Sequence, residues 1–314
     1  MDFARELRFL KDRHLQGQAT VLVTVCAVTG SSMRNPGTVM GVAEDGSYQG
    51  SLSGGCIEQA VVAEARAALD AGTPRIVRFG AGSPYLDIRL PCGGGLNIHF
   101  QPLSNGALAE ACLHSIEQRN PFAIRLDDDG AHHVAGWHGN AFDGASGTGT
   151  FSYWPAPKIA ILGHGAGVEA LHRQARAIRC RAAIFTPDEQ IVAELQSAGA
   201  EVALLARTDQ TEDLHSDPWT AFAFLFHDHD WEVKLMQRAL ELPHFYIGAM
   251  GGRQAHAARR EALADGGVEE DAIDTIRAPI GLFHSSRDPD TLALSALGEI
   301  VRTYQQTDFE AARG

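Results

Sequence analysis

The sequence predicts two domains of different class: an α+β domain over residues 1–150 and an α/β domain with a parallel sheet over residues 151–314. Three observations predict this. Strand-like runs in the first half are joined by tight turns such as Asp45-Gly46, which favour antiparallel hairpins. After Pro157 strands and helices alternate, the pattern of a doubly wound sheet. Between the halves, residues 140–150, NAFDGASGTGT, are small and polar and read as a loop or domain linker.

In the first half, MDFARELRFLKDRHL sets Phe3, Leu7 and Leu10 on one helical face. The apolar, β-branched run VLVTVCAV (21–28) reads as a buried strand, and TVMGVAEDGSYQGSLS (38–53) as two strands with a turn between. Residues 57–71 carry helical periodicity, with Ile57, Val61, Ala65 and Ala68 on one side. TPRIVRFG and LNIHFQPL read as strands around the glycines at 93–95, residues 107–118 as a helix, and PFAIRL with its DDDG turn as part of a hairpin. In the second half KIAIL, AAIF, EVALLA, WTAFAFLF and HFYIGAM are strands, each followed by a helix or loop.

The composition excludes several classes. Lysine and arginine total 26 against 39 acidic residues, a formal charge of −13. Nucleic acids and anionic membranes both attract the opposite balance. The amino terminus lacks the pattern of a secretory signal, and no apolar run approaches the roughly 20 residues of a membrane helix. Five widely spaced cysteines, none in a CxxC pair, form neither a disulfide framework nor a zinc ribbon. The expected setting is the cytoplasm.

Four regions carry candidate chemistry. KIAILGHGAGVEAL places Gly163, Gly165 and Gly167 between a strand and a helix, the context of a Rossmann-like dinucleotide turn. Val168 stands where a third glycine would be. Thr186-Pro187 occupies the end of the second strand, where an acid would hold a ribose, and the nearby Asp188 is placed to cap the next helix. FLFHDHDWE sets His227, Asp228, His229 and Asp230 after a buried strand; they can hold a divalent metal, line a cleft, or cap a loop and helix. YIGAMGGR brings Arg253 into a helix start, as an anion contact or a solvated residue.

The fourth region is in the first half. TGSSMRNPGTVM offers Ser31, Ser32 and Arg34 in a glycine-rich loop, suited to an anion and equally to turn formation. SGGC puts Gly54, Gly55 and Cys56 at a helix start, where the dipole favours a thiolate and the glycines admit close approach. PCGGG repeats this at Cys92 and Gly93. A small buried hydrophobe beside a turn is the other reading of each cysteine.

Taken together, TGSSMRNPGTVM, SLSGGCIEQAV, PCGGG, ILGHGAGVEAL, FLFHDHDWE, YIGAMGGR and RAPIGLFHSSRDPDTLALSALGEI resemble, in order, the XdhC/CoxI family of accessory factors for xanthine dehydrogenase and related molybdenum hydroxylases. The resemblance runs from about Leu15 to Tyr304. It implies a cofactor-insertion chaperone rather than a catalyst. Such a protein binds molybdenum cofactor (molybdopterin), protects it while a cysteine desulfurase installs the terminal sulfur, and hands it to a xanthine dehydrogenase-type molybdoenzyme. It also implies a homodimer. Ser31, Ser32 and Arg34 match the family's anion-binding-like loop, and Cys56 and Cys92 its glycine-flanked cysteines, with Cys56 a molybdenum contact. Gly163, Gly165 and Gly167 match its dinucleotide-like turn, and His227 and Asp228 its HD pair. The chain departs from the pattern at Met33, Asn35, Gly252, FHSSRDPD and Thr186-Pro187. The rival expectation is an NAD(P)-dependent oxidoreductase using the Rossmann-like half, with His227 or His229 in proton transfer.

Overall fold

The computed structural model describes residues 3–32, 34–55, 57–83, 93–283 and 288–311, with His229 described by its backbone. The chain divides into two compact units, Met1–Pro155 and Ala156–Gly314.

The first unit begins with α1 (Ala4–Leu15), then β1 (Thr20–Thr29), β2 (Val39–Ala43), β3 (Tyr48–Gln49), α2 (Glu58–Ala71), β4 (Arg75–Gly80), β5 (Gly95–Leu103) and α3 (Ala107–Glu117). Its first sheet has the order β3-β2-β1-β5-β4, with every neighbouring pair antiparallel. Alternation along β1 explains the layers. Val21, Val23 and Val25 face α2 in one core with Val61, Ala65, Phe79 and Ile98. Leu22 and Cys26 face the other way, into a core with Leu7, Leu10, Leu113 and Phe122. That second core is closed by a four-stranded antiparallel sheet of β6 (Phe122–Asp127), β7 (Gly130–Ala135), β8 (Ala141–Asp143) and β9 (Thr148–Tyr153), in the order β7-β6-β9-β8.

The expected linker at 140–150 is therefore wrong: it holds β8 and the start of β9. Its small residues serve close packing. A Cβ on Gly149 would lie 2.8 Å from Phe142 Cδ2 and 2.9 Å from the Ala141 oxygen. The Asp143 carboxylate fixes the turn, accepting from the Ala145 amide (2.9 Å) and the Ser146 hydroxyl (2.8 Å).

The second unit runs β10 (Lys158–Gly163), α4 (Ala166–Ala177), β11 (Arg181–Thr186), α5 (Glu189–Ser197), β12 (Glu201–Leu204), β13 (Thr220–Leu225), α6 (Glu232–Glu241), β14 (Tyr246–Ala249), α7 (Arg253–Asp265), α8 (Glu270–Ile273) and α9 (Pro289–Gln306). All five strands are parallel, in the order β12-β11-β10-β13-β14. This is the expected Rossmann-like sheet, with the chain reversing its winding between β10 and β13. One face buries Val168 and Leu171 of α4 with Ala296 and Ile300 of α9. The other buries Leu235 and Met236 of α6 with Leu263 of α7. Beyond β14 the RAPI segment extends the sheet: the Arg277 amide donates to the Ile247 oxygen, and the Ala249 amide to the Arg277 oxygen, each at 2.9 Å.

Candidate functional site

In the first unit, strand register brings the glycine-rich loops to one edge. Thr29 pairs with Gly95, and Gly95 with Gly80, so the ends of β1 and β4 meet the start of β5. After β3, which pairs with β2, the chain passes close to β2 at Gly50, where a Cβ would lie 3.1 Å from Met40 Cα, and goes on to α2. The contact between loops is tightest at Gly94, where a Cβ would collide with the Ser31 carbonyl oxygen and lie 2.9 Å from that of Thr29. Only glycine permits this approach of the two backbones.

The Ser31–Arg34 loop is held locally. Ser32 Oγ accepts the Arg34 amide at 3.0 Å, and Ser31 is exposed. Arg34 is half-buried, and its Nε is buried with no hydrogen-bond partner among the described residues. A buried donor left unpaired is costly, which makes this guanidinium the edge's strongest pointer to an anion.

The loop before α2 has an organiser the sequence reading missed. Glu58, the first residue of α2, is buried, and its carboxylate gathers six donors among the described residues. Oε1 accepts Ser51 Oγ (2.9 Å), the Leu52 amide (3.1 Å) and the Ser53 amide (3.0 Å). Oε2 accepts Ser53 Oγ (2.7 Å), the Gly55 amide (2.9 Å) and the Ile57 amide (3.2 Å). Burial pushes this carboxyl up, but the hydrogen bonds led by those from Ser53 and Ser51 outweigh it and hold it at about 2.

The neighbouring glycines donate into the same network. Gly54 donates to Ser51 Oγ at 3.0 Å and Gly55 to Glu58, so neither amide faces outward to hold a ligand phosphate. Both have positive φ, 82° and 114°, and among the described residues a Cβ on either, or on Gly93, would meet nothing within 4 Å. The Gly55 and Ile57 amides on either side of position 56 both donate to the Glu58 carboxylate. Cys56 and Cys92 lie outside the described residues, as do Met33 and residues 284–287. Cys26 and Cys112 are buried free thiols, pushed by burial up to about 12.

In the second unit the candidates gather at the carboxyl ends of β10, β13 and β14. Gly163 is required by packing, since a Cβ would lie 2.7 Å from the Leu225 backbone. Gly165 has φ of 75° and open space around it. Gly167 lies inside α4, where a Cβ would make only an ordinary contact, 3.9 Å from Leu225. His164, which sequence reasoning passed over, sits in this turn, its ring 5.7 Å from that of His227 and 5.8 Å from that of Phe226. His227 and Asp228 are exposed, and Asp228 Oδ1 accepts the Asp230 amide at 2.9 Å. That bond matches the capping alternative. Among the described residues no group of three or more His, Cys, Asp or Glu is placed to hold a metal ion.

At the end of β11, Thr186 is fully buried and its hydroxyl accepts the Asp188 amide at 3.2 Å. The Asp188 carboxylate caps α5, accepting from Gln190 (3.0 Å) and Ile191 (3.2 Å). Asp188 thus serves as the cap of the helix. Arg253 is exposed at the start of α7. Behind it lies a buried clamp with no counterpart in the sequence reading. Arg259 donates from Nε and Nη2 to the two Glu232 oxygens, each at 3.0 Å, and from Nη2 to the Met250 carbonyl at 2.7 Å. It ties the turn after β14 to the start of α6.

Comparison with known proteins follows this division. The XdhC and CoxI family model matches residues 14–80, and the XdhC Rossmann domain model residues 159–300. The chain is 33% identical over 311 residues to the molybdenum cofactor insertion chaperone PaoD of Escherichia coli (strain K12), covering 96% of this chain and 89% of that protein. The chain belongs to the XdhC and CoxI family. It is also 24% identical over 278 residues to the uncharacterized protein YqeB of the same organism, covering 87% of this chain and 41% of that one. A crystal structure titled a xanthine dehydrogenase from Bacillus halodurans shares the fold, with a TM-score of 0.77, 19% identity and 97% of each chain covered. Within the family's two matched regions fall Arg34, Gly54, Gly55 and Glu58 on one side and the Gly163–Gly167 turn, His227 and Arg253 on the other.

Proposed function

We propose that this chain is a molybdenum cofactor insertion chaperone that holds the cofactor at the glycine edge of its first unit and delivers it to a xanthine dehydrogenase-type molybdoenzyme. The observation that carries the reading is Arg34, whose buried Nε has no hydrogen-bond partner among the described residues; Gly54, Gly55 and Gly93 add positions where a Cβ would meet no described residue. The donor set fits the cargo. A pterin phosphate is the anion a guanidinium recognises, and the bare glycines let a rigid ring system lie against backbone. Cys56 and Cys92 supply the soft sulfur that suits molybdenum, with Cys56 the proposed contact. Membership of a family that includes a named insertion chaperone supports the same reading.

The finer parts of the proposal follow from it: a cysteine desulfurase as sulfur donor, a homodimer as the working form, and the cytoplasm as the setting. Against the NAD(P) alternative weighs Asp188, the acid nearest the ribose position, whose Oδ1 caps α5. The test is anaerobic incubation with molybdenum cofactor, desalting, and measurement of bound molybdenum and oxidised pterin fluorescence, with NADH binding in parallel. Near-stoichiometric pterin, lost on the order of tenfold or more in Arg34→Ala, is the expected result. Saturable NADH binding without pterin would overturn it.

A further inference from the structure

The geometry points to Glu58 as the positioning residue of the cofactor edge, an inference that rests on the proposed function. Glu58 is 4% exposed, and its carboxylate organises every described residue from Ser51 to Ile57 directly or through Ser51. The residues on either side of Cys56, Gly55 and Ile57, donate their amides to the same oxygen. A chain with two consecutive positive-φ glycines has little stiffness of its own, so the shape of this loop is set by the acceptor at its centre. Glu58 does not touch the ligand; it fixes where Gly54 and the two residues that flank position 56, Gly55 and Ile57, are presented. Supporting groups of this kind matter to ligand affinity because they hold the contacting groups in one geometry.

Glutamine at this position keeps the volume and one carbonyl oxygen but turns an NH2 toward one set of donors, so half of the network fails. The experiment compares Glu58→Gln with Glu64→Gln. Glu64 is the other buried carboxylate of α2; it pairs with Arg75 at 2.8 Å and lies outside the loop network. For each protein, melting temperature, retained pterin, and the rate at which iodoacetamide labels Cys56 are measured, the last by peptide mass spectrometry at one fixed pH. The expected result is a folded Glu58→Gln protein that loses pterin retention on the order of tenfold and labels at an altered rate, while Glu64→Gln keeps both wild-type values. Retention that falls in both variants in step with melting temperature would reduce Glu58 to a stabilising residue and overturn the inference, as would wild-type retention and labelling in Glu58→Gln. Absence of pterin from the wild-type protein would sink the proposed function instead, and the Cys56 labelling rates would still decide the role of Glu58.

Discussion

His99 makes the stability of the first sheet depend on pH in a way that can be calculated. It lies on β5 opposite Thr24 of β1, is 3% exposed, and its Nδ1 has no hydrogen-bond partner among the described residues. Around it, Thr24 Oγ1 and Gln101 Oε1 are also buried without partners, and no carboxylate is paired with its ring, among the described residues. Burial therefore disfavours the imidazolium and lowers the group from 6.5 to about 4. Below its ordinary value the unfolded chain takes up a proton that the folded chain refuses. Stability is thus full above about pH 6.5, falls as pH drops toward 4, and then levels off. A shift of that size, at about 1.4 kcal/mol per unit, amounts to about 3 kcal/mol across the window. His133, His172 and His256 are also lowered, chiefly by burial, but they are present in both proteins of a wild-type and His99→Gln pair and cancel in the difference. Glu58, held at about 2, contributes stability that is lost mainly below the window. Native-state hydrogen exchange at the β1 and β5 amides reads this sheet directly. Equal acid sensitivity in wild type and His99→Gln would refute the reasoning, because it would mean the imidazole is solvated or paired in the folded state.

Three further outcomes follow from the packing. Gly94→Ala drives a methyl group into the Ser31 carbonyl, so the protein should lose thermal stability and pterin retention together, whereas alanine at the open but strained Gly93 should cost less; melting curves compare them. Glu232→Ala strands the buried Arg259 guanidinium and should cost about 3–5 kcal/mol, while the double exchange Glu232→Leu with Arg259→Met should recover much of it in urea unfolding. Asp188→Ala removes two helix-capping bonds and should cost about 1 kcal/mol by the same measurement, with pterin retention unchanged.

The parts of this fold that the sequence shows are those governed by periodicity. Val21, Val23 and Val25 alternate with Leu22 and Cys26, and that alternation alone places β1 between two cores. The strand-helix alternation after Pro157 likewise fixes the parallel sheet. What stays hidden depends on contacts between distant residues. Gly149 in the supposed linker looks flexible until Phe142 is known to lie against it. Glu232 and Arg259 read as ordinary helix-surface charges because nothing local shows that each is 1% exposed. Glu58 is a subtler case. An acid in the first turn of a helix is what the dipole favours, so its position raises no question. Only the backward fold of the preceding loop, allowed by Gly54 and Gly55, reveals that one side chain collects six donors.

The same bonds decide what kind of site the edge can be. A glycine-rich loop at a helix start normally suggests a nest of outward amides that grips phosphate through the backbone. Here the loop encloses its own anion, and its amides are turned inward to Glu58 and Ser51. A second anion arriving there meets backbone already polarised toward a carboxylate; two arginines are described at the edge, Arg78, which donates to the Ala81 carbonyl and Asn97, and Arg34, whose Nε has no partner among the described residues. In the proposed function, charge recognition falls to Arg34 and loop shape to Glu58. Exchanging Arg34 for Lys keeps the charge and removes the planar fork, so a pterin phosphate gripped in bidentate fashion should be retained less well by Arg34→Lys than by wild type. Equal retention would mean that the edge offers only a point charge, and specificity for the cofactor would then rest on the glycine surface and the thiols.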